Sequence, residues 1–254
     1  MTRYRSTLAY DGTAYLGFQR QAEDIPTIQS AVEHAIHHIT GQTTSVVAAG
    51  RTDTGVHATH QVIAFDAEWR HGDAALQNAL NATLPGDIAV CDLCQHPGFH
   101  PRFDARSRTY RYSVLQTPVR QPLLRHMTWQ IHQSLDWDIM QKVAALLIGR
   151  HDFAAFGNSP QGENTVRDVF RSEWERHIQG ADAILYIYVV EANAFLNHMV
   201  RRMVGMQVDA GAGRLTPDVF WQIFARADLS QAKTLAPPQG LVFANVRYDD
   251  KIDA

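Results

Sequence analysis

The chain is short of several things, and each shortage removes a class of protein. Its 254 residues hold two cysteines, too few for a disulfide framework, so a reducing cytoplasm is the expected compartment. No uninterrupted apolar run is longer than residues 183–190, well below the roughly 18 residues a membrane span requires. The opening MTRYRSTLAYDG puts no apolar stretch behind its charges, and no signal peptide is expected there. Neither a P-loop nor a nucleophile elbow occurs, and Gly211-Ala212-Gly213 lacks the third glycine and preceding strand of a dinucleotide fingerprint. Lysine is scarce too: only Lys142, Lys233 and Lys251 among 23 basic residues.

What is present describes a folded chain. Apolar residues make up 45% and charged residues 19%, which excludes a disordered polymer. At roughly 150 residues per domain the length allows two small domains or one large one. The net charge of −3 does not mark a nucleic-acid binder, but it averages over two unlike stretches. Residues 1–104 carry 6 basic and 11 acidic side chains, residues 105–254 carry 17 and 15. Between Phe99 and Arg125 stand six arginines and a single acid, Asp104. Arginine's planar fork suits phosphate and stacked bases; arginine-rich codon usage would produce the same preference over lysine.

Hydrophobic spacing outlines the elements. Strands are predicted over residues 4–10, 46–49, 61–66 and 88–93, with helices over 28–39 and 73–81. Thr27 is the expected cap of the first helix and Gly41 its stop. Further on, strands are predicted over 109–115, 165–175, 183–191 and 242–248. Helices are predicted over 136–147, from Phe195 into residues 205–210, and over 217–227, where Thr216 caps and Pro217 occupies the first helical position. The pattern predicts an α+β fold in two halves, 1–104 and 105–254, each a mainly antiparallel sheet backed by helices.

Three segments carry chemistry. Gly50-Arg51-Thr52-Asp53-Thr54-Gly55 follows a strand and sets a carboxylate between glycines. Such an aspartate either serves a turn with a hydrogen bond or projects a reacting group from a held loop. Residues 99–112 interleave arginine with aromatics. Arginines neutralise phosphate and aromatic faces stack on unpaired bases, although an edge strand with a solvated arginine face reads the same way. Strand alternation puts Tyr110 and Tyr112 on one face and Arg111 on the other. Residues 193–205 form an apolar helix in which Arg201 lies beside the buried stripe of Leu196, Val200, Met203 and Val204. A cation there needs a partner, and a carboxylate such as Asp53 would serve. Thirteen histidines, and Cys91-x-x-Cys94 followed by His96 and His100, raise the question of zinc. The single residue between the cysteine pair and the first histidine is far from the finger spacing of about 12, and no metal site is expected.

The segment at residues 50–58 resembles the signature of the tRNA pseudouridine synthase A family, and the likeness runs along nearly the whole chain. Matching stretches include residues 9–13 through 17–19, Leu80-Asn81 with 84–88, 99–112, 151–153, 165–167, 194–205, and 236–238 through Gly240-Leu241. Phe18 stands where the family pattern has Trp, Thr54 where it has Ala, and Thr59-His60 where a glycine is usual. The resemblance implies a pseudouridine synthase fold with the active cleft between its two halves. It also implies a homodimer that isomerises uridine to pseudouridine at positions 38, 39 and 40 in the anticodon arm of tRNA, without cofactor. Asp53 matches the catalytic aspartate, Tyr110 the tyrosine that stacks on the target base, and Arg51 the arginine associated with flipping it. Arg201 matches the arginine paired with the aspartate, and Leu241 an apolar residue lining the uracil pocket.

The chemistry suits those roles. Isomerisation breaks an N-glycosidic bond and rejoins the same base through carbon, so a carboxylate nucleophile can suffice, as in glycosidases. Extruding the base costs a few kcal/mol, which an inserted arginine and a stacking tyrosine offset. Two rival readings are a non-catalytic tRNA-binding or chaperone protein on the same scaffold and a metal-dependent RNA hydrolase using the histidines.

Overall fold

The computed structural model describes residues 1–22, 25–160, 162–180 and 182–249. It divides into two compact units, Met1–Arg106 with Val242–Ala254, and Ser107–Leu241.

In the first unit, β1 (Thr2–Tyr10) lies antiparallel to both β3 (His57–Ala67) and β4 (Ile88–Gln95). The two-residue β2 (Val47–Ala48) also pairs with β3. Alternation along β1 sends Tyr4, Ser6, Leu8 and Tyr10 into the core, as a half-buried strand should. Helix α1 (Ile28–Thr40) starts at Thr27, whose side chain accepts from the Ser30 N–H in a capping box, and ends at Gly41 in the left-handed region. Helix α2 (Asp73–Thr83) is tied to β4 by Asn81, which donates to the carbonyl of Val90 and accepts its N–H, both at 2.8 Å. The sequence pattern predicts a second half running to residue 254. In the structure β10 (Leu241–Arg247) pairs in parallel with β3, at Val242 with His57 and Phe243 with Ala58, so the described residues from Val242 onward group with the first unit.

In the second unit β5 (Ser107–Gln116), β9 (Ala183–Ala192), β8 (Val166–Gln179) and β7 (Gly149–Asp152) are successive antiparallel neighbours, and β6 (Trp129–Ile131) adds in parallel to the end of β5. One face carries Tyr112, Val114, Trp174, Tyr186 and Tyr188, all buried. Helices α3 (Trp137–Ala145), α4 (Met199–Gly211) and α5 (Pro217–Ala225) complete the unit, and α3 packs on α4 and β8. Buried polar contacts here include Trp174 Nε1 donating to Gln207 at 2.8 Å and Ser172 Oγ donating to the carbonyl of Ala144 at 2.7 Å. The result is an α+β fold whose strand pairing is mixed and mostly antiparallel.

Two expectations shift. The predicted helix start at Phe195 is wrong by four residues, because the Asn197 N–H is drawn to the carbonyl of Asn158 and His198 takes a left-handed φ of 60°. Strands β6 and β7 went unpredicted; they are three and four residues long and carry no usable alternation. Among the described residues no helix is long and apolar enough to cross a membrane.

Candidate active site

In the first unit the carboxylate-bearing loop is tied down at Gly50, Thr52, Asp53 and Gly55. Gln61 on β3 grips Gly50 through both backbone groups, donating to its carbonyl at 2.8 Å and accepting its N–H at 3.3 Å. The Phe18 N–H donates to the carbonyl of Thr52 at 3.0 Å, and the Gly55 N–H to that of Tyr15 at 3.3 Å. The Val56 N–H closes the turn on the carbonyl of Asp53 at 3.1 Å. Beneath the loop the Tyr10 hydroxyl meets Thr52 Oγ1 at 2.8 Å. Burial pushes the Tyr10 phenol up to about 12, against the opposing pull of hydrogen bonds from Thr52 and Gln61, so it is a neutral hydrogen-bonding group at physiological pH.

Two glycines are there because backbone passes close by. A Cβ on Gly12 would lie 2.0 Å from the carbonyl oxygen of Val56. Gly17 has φ +94° and would put a Cβ 3.0 Å from the carbonyl oxygen of Thr52. The Gly12 N–H donates to Nδ1 of the buried His57 at 3.1 Å. This scaffold leaves Asp53 half-buried and Arg51 exposed on the same loop, an arrangement that presents a carboxylate on rigid backbone.

The second unit gathers other predicted residues. Tyr110 on β5 is buried and meets Phe195 edge-to-face, ring centroids 5.0 Å apart. Arg201 on α4 donates through Nε to the carbonyl of Ala236 at 2.8 Å, and the Ala236 N–H returns a bond to the carbonyl of Arg201 at 3.2 Å. The next residue, Pro237, accepts from the Tyr112 hydroxyl at 2.7 Å. Burial raises the Tyr112 phenol strongly, with the Arg201 charge pulling the other way. Arg201 is therefore fixed to the segment that leads into Leu241, itself 5% exposed.

The arginine-rich segment is less uniform than its composition suggested. Arg108 is buried and donates to the carbonyl of Asn193 at 2.9 Å, and Arg106 holds Asp249. Nδ1 of His100 accepts two backbone N–H groups, from Arg102 and Phe103. Cys91 and Cys94 are free thiols. Of the residues behind the loop, Tyr10 and His57 lie in stretches that carry the family resemblance, and Gln61 does not. Only the resemblance marked Tyr10 and Gly12, and nothing local distinguishes Gln61 from any polar strand residue.

Comparison with known proteins places the chain in a family. A model described as tRNA pseudouridine synthase matches residues 7–104 and 143–249. Arg51, Asp53, Arg201 and Leu241 fall inside the match. The chain is 39% identical over 250 residues to the tRNA pseudouridine synthase A of Neisseria meningitidis serogroup C, covering 98% of this chain and 92% of that protein. It is 40% identical over 252 residues to the one from Myxococcus xanthus (98% and 93%), and 37% identical over 254 residues to the one from Colwellia psychrerythraea (99% and 95%). With a family match over more than half its length and full-length relatives near 40% identity, the chain belongs to the tRNA pseudouridine synthase family.

Proposed function

We propose that this protein isomerises uridine to pseudouridine at positions 38, 39 and 40 in the anticodon stem-loop of tRNA. It does so as a cytoplasmic homodimer in which one tRNA contacts both subunits. The observation that carries the reading is the Asp53 loop, a half-buried carboxylate on backbone immobilised by Gln61, Tyr15 and Phe18 in a chain of this family.

The reaction breaks the bond from ribose C1′ to N1 of uracil and forms one from C1′ to C5; the C5 proton leaves and N1 gains one. Apart from this exchange of hydrogen with solvent no atom or electron is gained or lost overall, so the stoichiometry calls for no cofactor. Asp53 is the nucleophile, Arg51 fills the gap left by the extruded base, and Tyr110 stacks on that base. Arg201 holds the carboxylate ionised as water is excluded, and Leu241 lines the uracil pocket.

The test uses tRNA tritiated at uridine C5. Wild type should release tritium, and Asp53→Asn should lose at least about 10³-fold in kcat while still binding tRNA. Arg201→Ala should lose activity as well. Wild type that binds without release would identify a non-catalytic tRNA-binding protein; normal release by Asp53→Asn would place the nucleophile elsewhere.

A further inference from the structure

The aromatic residues of the arginine-rich segment have different fates. Phe99 and Tyr112 are enclosed in the cores of their units, at 2% and 0% exposure, whereas Phe103 is 75% exposed. Its ring is nevertheless held. One face stacks on the His100 imidazole, with centroids 4.1 Å apart and planes at 28°. His100 is fixed in turn: its Nδ1 accepts from the N–H groups of Arg102 and Phe103, each at 3.2 Å. The turn is closed from the other end by Asp104, whose carboxylate accepts the His100 N–H at 2.8 Å and whose own N–H donates to the His100 carbonyl at 3.1 Å. The guanidinium of Arg102 lies 5.9 Å from the Phe103 ring centroid.

A buried phenylalanine needs no explanation, but a rigid, outward one beside an arginine has the makings of a base-stacking platform. A nucleobase stacks on any exposed aromatic face, and the adjoining cation meets the phosphate that comes with it. Because His100 already holds the ring, little side-chain freedom is lost on contact. We propose that Phe103 is a stacking platform for an unpaired base of tRNA other than the uridine being isomerised, with Arg102 on the flanking phosphate. The proposal rests on the synthase reading for its ligand, and it adds a second aromatic contact separate from Tyr110.

The experiment compares tRNA binding and tritium release by wild type, Phe103→Ala, Phe103→Leu and Phe103→Trp. Loss of the aromatic face in the Ala and Leu variants should raise Kd about 5- to 100-fold, with kcat at saturating tRNA unchanged. The Trp variant should stay within about 2-fold of wild type, and Arg102→Ala should lower the salt dependence of binding by about one ion. Wild-type affinity in both the Ala and Leu variants would overturn the proposal. So would weakened binding that tracks dissociation into monomers by sedimentation, which would make Phe103 a subunit contact. Failure of the synthase reading is separate: it would appear as wild type that binds tRNA but releases no tritium, and the Kd comparison would still be readable.

Discussion

The Tyr10 hydroxyl lies 2.8 Å from Oγ1 of Thr52, the residue immediately before Asp53. Through it the last residue of β1 supports the loop that carries Asp53, from 42 positions away in sequence. Both side chains are buried, Tyr10 at 4% and Thr52 at 7% exposure, so neither can exchange its partner for bulk water.

Tyr10→Phe removes that hydroxyl and leaves a buried Thr52 oxygen short of a partner. Stability should fall by about 1–2 kcal/mol, read as a lower urea midpoint. Because the loop is loosened where Asp53 sits, kcat should drop while the KM for tRNA changes little. An unaltered kcat would show that Asp53 is positioned without this contact.

Gly12→Ala sets a Cβ against backbone that cannot rotate away, 2.0 Å from the carbonyl oxygen of Val56. Relief requires moving the chain just after the Asp53 turn, at a cost of about 1–3 kcal/mol and with a larger loss in kcat than in tRNA affinity. Gly86→Ala is the control. Its Cβ would meet nothing within 4 Å, and thermal stability should be unchanged.

Alkaline pH should unfold the protein through its buried tyrosines. Tyr10 and Tyr188 are pushed up to about 12 by burial, and Tyr112 is also raised. In the unfolded chain a tyrosine loses its proton near pH 10. Between pH 10 and 12 the unfolded state therefore binds fewer protons than the folded one. The stabilisation is complete below pH 10 and falls as pH rises toward 12, by about 1.4 kcal/mol per pH unit for each such residue. Circular dichroism and tyrosinate absorbance, followed together, should change in one transition; tyrosinate appearing from these residues in a still-folded protein would contradict it.

Cys91→Ser should leave pseudouridine formation intact, with or without chelator. The Cys91 thiol is raised by burial and by Asp92, which disfavours the thiolate that a metal or redox role needs. A chelator-sensitive loss would revive the metal-dependent reading.

How much of this was legible beforehand differs from element to element. Thr27 and Thr216 cap their helices as the residue types imply, because a cap is decided within three residues. The strand carrying Tyr110 and Tyr112 shows the predicted alternation, with Arg111 turned to solvent. By contrast, the delayed start of α4 depends on an Asn197 bond to residue 158, and the return of β10 to β3 joins residues 242 and 57. No local pattern encodes either.

The same division runs through the site. The sequence by itself determined that a carboxylate at Asp53 would stand on a glycine-bounded loop and that arginines and aromatics would crowd residues 99–112, since these follow from composition, spacing and backbone preference over a few residues. Only the tertiary structure decided that Tyr10, Gln61 and Gly12 immobilise the loop, that Arg106 and Arg108 are taken up by protein partners, and that Phe103 is the exposed ring of its segment. Those outcomes depend on which distant atoms come within hydrogen-bond or van der Waals range, and that is settled by packing across the fold rather than by neighbours along the chain.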